Sequence, residues 1–226
     1  RGEGIGYWGL SNNFAMAVGP SLSLWIFTHY DNYNILFTVS LVTALIGLLI
    51  NTTVDCKYRP PVLDKKKMSL DRFIMLEGWS QGLCIALVAV AYGVLSTYIA
   101  IYSQDVLNIT AGTGTFFMLF AVGLIMSRFF GVRYLSKGFV VRNATYGVIC
   151  VAIGYSLFAF WQNLYGYYIS AVVIGFGQGS MYPAVQTMFL NMASNDKRGT
   201  ANATILTSWD LGIGLGIIGG GYVAEH

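Results

Sequence analysis

Asp210 is an acidic residue inside a long apolar stretch, the run 200–224, which carries no other charged side chain. In a helix that rises about 1.5 Å per residue, Asp210 would lie about 15 Å into the run, near the middle of a lipid core of about 30 Å. A carboxylate at that depth costs roughly 2.5–3.5 kcal/mol and usually faces a cavity or a polar partner. Because removal from water favours the protonated carboxyl group, we expect Asp210 to exchange a proton or contact a substrate. A hydrogen bond to a neighbouring helix is the structural alternative.

Glu77 is the second acidic candidate for proton coupling. It follows Arg72 by five residues, about 8 Å along a helix, so its carboxylate would still reach water at the membrane surface. Gln81 would share its helical face. A gate or interfacial residue at the inner surface is the structural alternative for Glu77.

Three hydrogen-bonding side chains recur at four-residue intervals in another apolar run, namely Gln178, Tyr182 and Gln186. This spacing places them on one face of a helix, which we expect to line an aqueous cavity and to contact substrate. Hydrogen bonds between helices are the alternative, because polar side chains also join membrane helices. Other polar residues of apolar runs are cavity candidates on the same grounds: Asn12, Asn13, Tyr92 and Ser96.

The sequence does not contain the side-chain groupings of an enzyme or a metal centre. Cys56, Cys84 and Cys150 are widely spaced and have no partner histidines. A membrane-embedded enzyme would need several His, Asp or Cys side chains at a common depth, and this chain offers Asp210 alone. We therefore expect no enzymatic activity, no metal and no cofactor. Nucleic acid is excluded as a partner because no basic face with interleaved aromatic residues occurs.

The composition requires the elements that carry these residues to lie in a membrane. Hydrophobic residues make up 55% of the chain and charged residues 10%, and the mean hydropathy is +0.60. A globule of this size would have too little polar surface for water. About 20 apolar residues form a helix that crosses the lipid core. Seven runs are predicted to do so: 6–27, 35–54, 73–101, 112–130, 144–160, 167–190 and 200–224.

The basic residues are sorted between the two sides of these seven runs. All 13 Lys and Arg lie on one side: before the first run, or in or beside the second, fourth and sixth connections. The connections 28–34, 102–111 and 161–166 carry none. Basic residues are retained on the cytoplasmic side, so the first and last runs are predicted to cross from inside to outside. Residues 55–72 contain Pro60-Pro61 and a lysine run, which predicts a basic cytoplasmic linker.

The start of the chain is repeated near its end. At a constant offset Arg1 aligns with Arg198, Ser11 with Ser208, Asn13 with Asp210 and Gly19 with Gly216. An internal duplication is the simplest interpretation.

This repeat, offset by six runs across a basic linker, resembles the major facilitator superfamily, whose members have two six-helix bundles around a central cavity. The closest likeness is to the drug:proton-antiporter branch, in its arabinose-efflux-permease-like group. Gly19-Pro20 is similar to the antiporter motif of the fifth helix in that branch. Further stretches are similar to the seventh, eighth, tenth and eleventh helices: 71–77, 91–96, 127–131, 175–179, 182–186 and 210–216.

The resemblance implies an all-α membrane protein with a twelve-helix fold of which seven transmembrane helices, the fifth to the eleventh, are present. Residues 1–54 would be the last two helices of the N-terminal bundle, 55–72 the linker, and 73–226 the first five helices of the C-terminal bundle. The remaining helices of the same parent chain would be partners. Gly212, Gly216 and Gly220 would pack helices closely.

The resemblance also implies a function. We expect a multi-pass protein of the bacterial inner membrane that exports a small organic compound in exchange for protons by alternating access, with the lipid bilayer around it. An uptake symporter for a sugar or other small metabolite is the alternative within transport. A membrane protein that retains the fold without transporting is the alternative from another class. Its one support is Leu135, which stands near the place of an acidic loop residue of the family.

Overall fold

The structure is a computed structural model that describes residues 15, 18–19, 22–23, 25–54, 74–109, 112–136, 138–194 and 197–225. Side chains are described for these residues except 130–136 and 225. Structural statements below concern this part of the chain. It contains six long helices. They are α1 (Tyr33–Thr52), α2 (Trp79–Asp105), α3 (Gly112–Ser136), α4 (Val140–Phe160), α5 (Leu164–Met192) and α6 (Arg198–Glu225).

Five helical segments are long and apolar enough to cross a membrane: Tyr33–Thr52, Leu76–Asp105, Gly112–Phe129, Val140–Phe160 and Arg198–Ala224. They coincide with five of the predicted runs, so the all-helical membrane fold is confirmed for this part of the chain. The predicted run 6–27 lies mostly outside the described residues.

α5 contains the remaining predicted run, 167–190, and its 29 residues are long enough to cross. It is not among the five most apolar segments, because Gln178, Pro183 and Gln186 interrupt its apolar residues. Such side chains suit a helix that packs against protein on several sides rather than against lipid. α5 is the most buried of the helices, with 15 buried residues.

α5 packs tightly against both α3 and α4 through glycines. A methyl group at Gly147 would lie 2.6 Å from the backbone nitrogen of Met181, and one at Gly177 would lie 2.6 Å from that of Val151. On the α3 side, a methyl group at Gly175 would overlap the Phe120 carbonyl oxygen. Because no side chain separates these backbones, α3, α4 and α5 form one closely packed unit.

α2 and α6 form a second closely packed unit. The predicted packing glycines lie on its interface, where Gly212 meets the backbone of Ala86, Gly216 that of Val90, and Gly220 the ring of Tyr98. From the other helix, a methyl group at Gly93 would lie 2.5 Å from the Ile213 carbonyl oxygen. The Tyr98 hydroxyl also donates a hydrogen bond of 3.1 Å to the Ile217 carbonyl.

The buried side chains form two apolar cores, one toward each end of the bundle. The inner core contains Met75, Ile85, Val151, Phe189 and Ile205. It lies at the end of the bundle where α4 and α6 begin, close to Arg142 and Arg198. Because basic residues are retained on the cytoplasmic side, this end is assigned to the cytoplasm. The outer core is aromatic and contains Tyr92, Phe116, Phe117, Phe120 and Tyr167.

α1 differs from the other helices because none of its residues is buried. Its N-terminus is capped by Asn32, whose side chain accepts a hydrogen bond of 2.8 Å from the Asn34 amide. A helix of this apolar composition needs lipid or further helices around it, so α1 lies beside, rather than inside, the unit formed by α2–α6.

Candidate substrate and proton site

A layer of polar and aromatic side chains separates the inner core from the outer core. On α5, Gln178 lies between Ile174 of the outer core and Met181 of the inner core. On α6, Trp209 lies between Ile205 of the inner core and Ile213, which packs on the outer one. Tyr155 of α4 packs against both cores, as Trp209 does. We call this set the central layer: Tyr92, Tyr155, Gln178, Tyr182 and Trp209.

Trp209 joins the central layer across three helices. Its ring centroid lies 5.5 Å from that of Tyr92 on α2 and 5.6 Å from that of Tyr182 on α5. The Tyr182 contact is edge-to-face, with an interplanar angle of 81°, an arrangement that aromatic rings favour. The direct contact between α5 and α6 at this level therefore consists of side chains and not of backbone.

Asp210 adjoins the central layer and is exposed on α6. The helix begins at Arg198, which places Asp210 about 18 Å along it and near the middle of a lipid core. The carboxylate is close enough to Tyr182 to interact with it electrostatically. An exposed carboxylate beside a tyrosine at this depth has the chemistry of a proton-binding or cation-binding group.

The three predicted stripe residues of α5 have different surroundings. Gln178 is 6% exposed, and its Nε2 has no hydrogen-bond partner within the described structure. Gln186 is also buried, but its Nε2 donates to Asn202 Oδ1 of α6 at 3.4 Å. Tyr182 is half-buried and contacts Trp209. The alternative interpretation, a bond between helices, therefore describes Gln186, whereas Gln178 keeps an amide group available.

Tyr155 is a member of the central layer that the sequence did not single out. Its hydroxyl oxygen is buried and has no hydrogen-bond partner in the part of the chain described. It lies near Tyr92 of α2, which is 8% exposed. The chain has 15 tyrosines, and no spacing or motif sets Tyr155 apart from the others.

Glu77 lies in the first turn of the helix that continues into α2. The predicted run begins at residue 73, whereas the described helix starts with a short 3-10 turn, Leu76–Gly78, that continues into α2. Glu77 is the second residue of this turn and is exposed. Just before the turn, the Met75 amide donates a hydrogen bond of 2.8 Å to Thr204 Oγ1 of α6.

Ser96 and the candidates of the first run complete the predicted cavity residues. Ser96 is half-buried, and its hydroxyl donates to the Gly93 carbonyl of its own helix at 3.2 Å. Asn12, Asn13 and Pro20 lie outside the described residues. Gly19 is helical and has no atom within 4 Å of an added Cβ.

Pro183 lies inside α5, next to Tyr182. A proline cannot donate the backbone hydrogen bond of the preceding turn and crowds its carbonyl groups. The carbonyl left without a helical donor is that of Gly179. At the next carbonyl along the chain, that of Ser180, the buried Nδ2 of Asn143 on α4 donates a hydrogen bond of 3.1 Å. This bond stabilises the turn of α5 that carries Gln178 and Tyr182.

The described residues contain no group of three or more His, Cys, Asp or Glu that could hold a metal ion. The groups that the central layer presents are aromatic rings, an amide, hydroxyls and the adjacent carboxylate of Asp210. Such groups can bind a small organic molecule through stacking and hydrogen bonds and can exchange a proton.

Comparisons with known proteins place the chain among transporters. The model of the Major Facilitator Superfamily matches residues 1–217. The protein named "Uncharacterized MFS-type transporter YhhS" from Escherichia coli (strain K12) is 24% identical over 220 residues, which cover 95% of this chain and 51% of that protein. The "Staphylopine export protein" of Staphylococcus aureus (strain Mu50 / ATCC 700699) is 23% identical over 235 residues, 96% of this chain and 57% of that protein. This chain thus spans about half the length of the curated relatives that it matches.

Proposed function

Because this chain belongs to the major facilitator superfamily, we propose that the protein containing it is a secondary transporter that exports a small organic compound in exchange for protons. The observation that carries the proposal is the family match over residues 1–217. Transport in this family uses two helical bundles that alternately open a central site to each side of the membrane.

The position of Asp210 supports proton coupling. A carboxylate near the membrane midplane is energetically unfavourable, so an acidic residue found at that depth usually has a functional role. Asp210 is exposed on α6 beside Tyr182, so it can reach water when the central site opens. Binding a proton removes its charge and changes its interaction with a bound substrate, which couples the two in one cycle.

The direction of transport is the second part of the proposal. One relative is named as an export protein at 23% identity, and Gly19 belongs to the stretch that resembles an antiporter motif. Both favour export. The relatives come from bacteria, so we place the protein in the inner membrane of a bacterium.

The proposed division of the chain follows the family fold. Residues 1–54 are the last two helices of the N-terminal bundle, 55–72 the cytoplasmic linker, and 73–226 the first five helices of the C-terminal bundle. The absence of buried residues from α1 supports this division, because that helix would be covered by other helices of the N-terminal bundle. Asp210 and the central layer then lie on the wall between the bundles.

The proposal is tested in the intact protein, purified and reconstituted in liposomes with a pH-sensitive dye inside. An imposed pH gradient should be dissipated when a transported compound is added, and the compound should move against the direction of proton flow. Staphylopine, an organic cation and a neutral sugar are suitable first compounds. Compound moving in the same direction as the protons would show uptake, and no flux with any compound would contradict transport.

Asp210→Asn tests the coupling residue. It should abolish compound-driven proton flux and leave compound exchange in the absence of a gradient intact. Asp105→Asn is the matched control, because Asp105 is an exposed carboxylate at the end of α2. Unchanged proton flux in Asp210→Asn would assign the coupling to another residue.

A further inference from the structure

Two buried hydrogen-bond donors of the central layer have no partner in the described structure. They are the hydroxyl of Tyr155 and Nε2 of Gln178. A buried donor without an acceptor is unfavourable, so each such group in a native protein calls for an explanation, such as a missing ligand or water. Gln178 is more than nine-tenths buried, so bulk water does not pair with its amide.

The two remaining unpaired atoms of this kind have different surroundings. Arg128 Nε belongs to a charged guanidinium group on α3, next to Ser127, which lies against Gly179 of α5. The Tyr167 hydroxyl lies in the outer core beside the hydroxyls of Ser103 and Thr113, which can pair with it after a small rotation. Tyr155 and Gln178 are thus the uncharged unpaired donors of the central layer.

The central layer lies where the two closely packed units meet. Glycine contacts hold α3, α4 and α5 together, and a separate set holds α2 to α6. Across the boundary, α5 contacts α6 through side chains such as Gln186 with Asn202 and Tyr182 with Trp209. A small separation of the units exposes Gln178 without breaking backbone packing.

The charges nearby select the kind of acceptor. Neither α2 nor α5 contains Lys or Arg, and the single basic residues of α4 and α6, Arg142 and Arg198, lie in the first turns of those helices. On α3, Arg128 is a charged donor close to the level of Gly179. The carboxylate of Asp210 adjoins the layer, so a second carboxylate would be repelled by it. Uncharged donors beside an acidic group suit an uncharged carbonyl oxygen.

We propose that Tyr155 and Gln178 bind an uncharged carbonyl oxygen of the substrate, as in an amide, lactam or ketone, while the rings of Trp209 and Tyr182 contact the adjoining apolar part. This inference deepens the proposed function and rests on it. It assigns a substrate class and adds Tyr155, a residue of α4, to the residues that determine specificity.

The test uses the intact protein in liposomes and a panel of matched compounds: cyclic amides, the amines obtained by reducing them, and carboxylates of similar size. Half-saturating concentrations are measured from proton flux, and binding is measured separately as the shift in thermal unfolding in detergent. In Tyr155→Phe and in Gln178→Met, the half-saturating concentration for the amides should rise about tenfold, the effect expected for one lost hydrogen bond in a buried site. Values for the amines should change less than twofold.

Tyr167→Phe is the matched control, because it removes a buried hydroxyl of the outer core and should leave the selectivity among compounds unchanged. Equal effects of Tyr155→Phe, Gln178→Met and Tyr167→Phe would overturn the proposal. Equal effects on amides and amines would overturn it as well, because they would mean that the two donors bind only a water molecule. A loss confined to carboxylates would overturn the choice of an uncharged group. Binding shifts that depend on Gln178 without any flux would support the site and contradict the proposed transport. An identical response of wild type and Gln178→Met to every compound, including no response, would overturn the site itself.

Discussion

Replacing Gly216 by alanine should weaken the contact between α2 and α6. The added methyl group would overlap the Val90 carbonyl oxygen and lie 3.0 Å from its carbonyl carbon and 3.1 Å from its Cα. Carbon atoms attract each other best at about 3.5–4.0 Å, so the two helices must move apart by roughly 0.5–1 Å. Overpacking of this kind costs about 1–3 kcal/mol of unfolding free energy.

Two glycines of the same helix serve as controls for Gly216. An added Cβ at Gly214 or Gly219 meets no atom within 4 Å. Alanine at either position should therefore be neutral or should stabilise the helix by up to about 1 kcal/mol, because glycine is the poorer helix former. Gly216→Ala gains the same helix propensity, so the expected difference between it and its controls is the overpacking cost alone, about 1–3 kcal/mol.

The difference can be measured on the intact protein in detergent micelles by denaturant titration, with tryptophan fluorescence as the signal. Trp209 lies on the same helix and contacts Tyr92 of α2, so its fluorescence should report the separation of the two helices. Unfolding free energies of Gly216→Ala and Gly214→Ala that agree within about 0.5 kcal/mol would refute the reasoning, since surface changes fall in that range.

Three further predictions concern the packing and orientation of the same helices. Asn143→Leu removes the hydrogen bond from Asn143 to the Ser180 carbonyl. It should lower the unfolding free energy by about 0.6–1.7 kcal/mol, the range for hydrogen bonds between membrane helices. A smaller loss in denaturant titration would show that the bond does not contribute to stability. Phe116→Ala should cost about 3–5 kcal/mol because Phe116 is fully buried. Phe129→Ala, at a side chain that is 72% exposed, should cost far less, and equal losses would contradict the core assignment. In a protein without its native cysteines, Asn108→Cys should react with an impermeant thiol reagent added outside and Lys65→Cys only after permeabilisation; labelling of both from one side would contradict the topology.

The sequence determined the membrane character and the order of the helices. Hydropathy and the distribution of basic residues reflect how each segment interacts with the lipid or water around it. The membrane-spanning segments can therefore be predicted without knowing which helices contact each other. The runs at 35–54, 112–130 and 144–160 coincide with described helices for this reason. The helical residues before α2 begin at Leu76 and not at residue 73, directly after Met75, whose amide donates to Thr204 of α6.

The tertiary structure decided which residues of the same type have different contacts. Gln178 and Gln186 have the same chemistry and lie on the same helix face, yet Asn202 pairs with one and not with the other. Gly214 and Gly216 are two residues apart, and only Gly216 meets a neighbouring backbone among the described helices. Tyr155 joined the candidate site although nothing in its sequence neighbourhood marks it. These differences arise because hydrogen bonds and close packing depend on atoms brought together from distant parts of the chain, and hydropathy does not record which atoms those are.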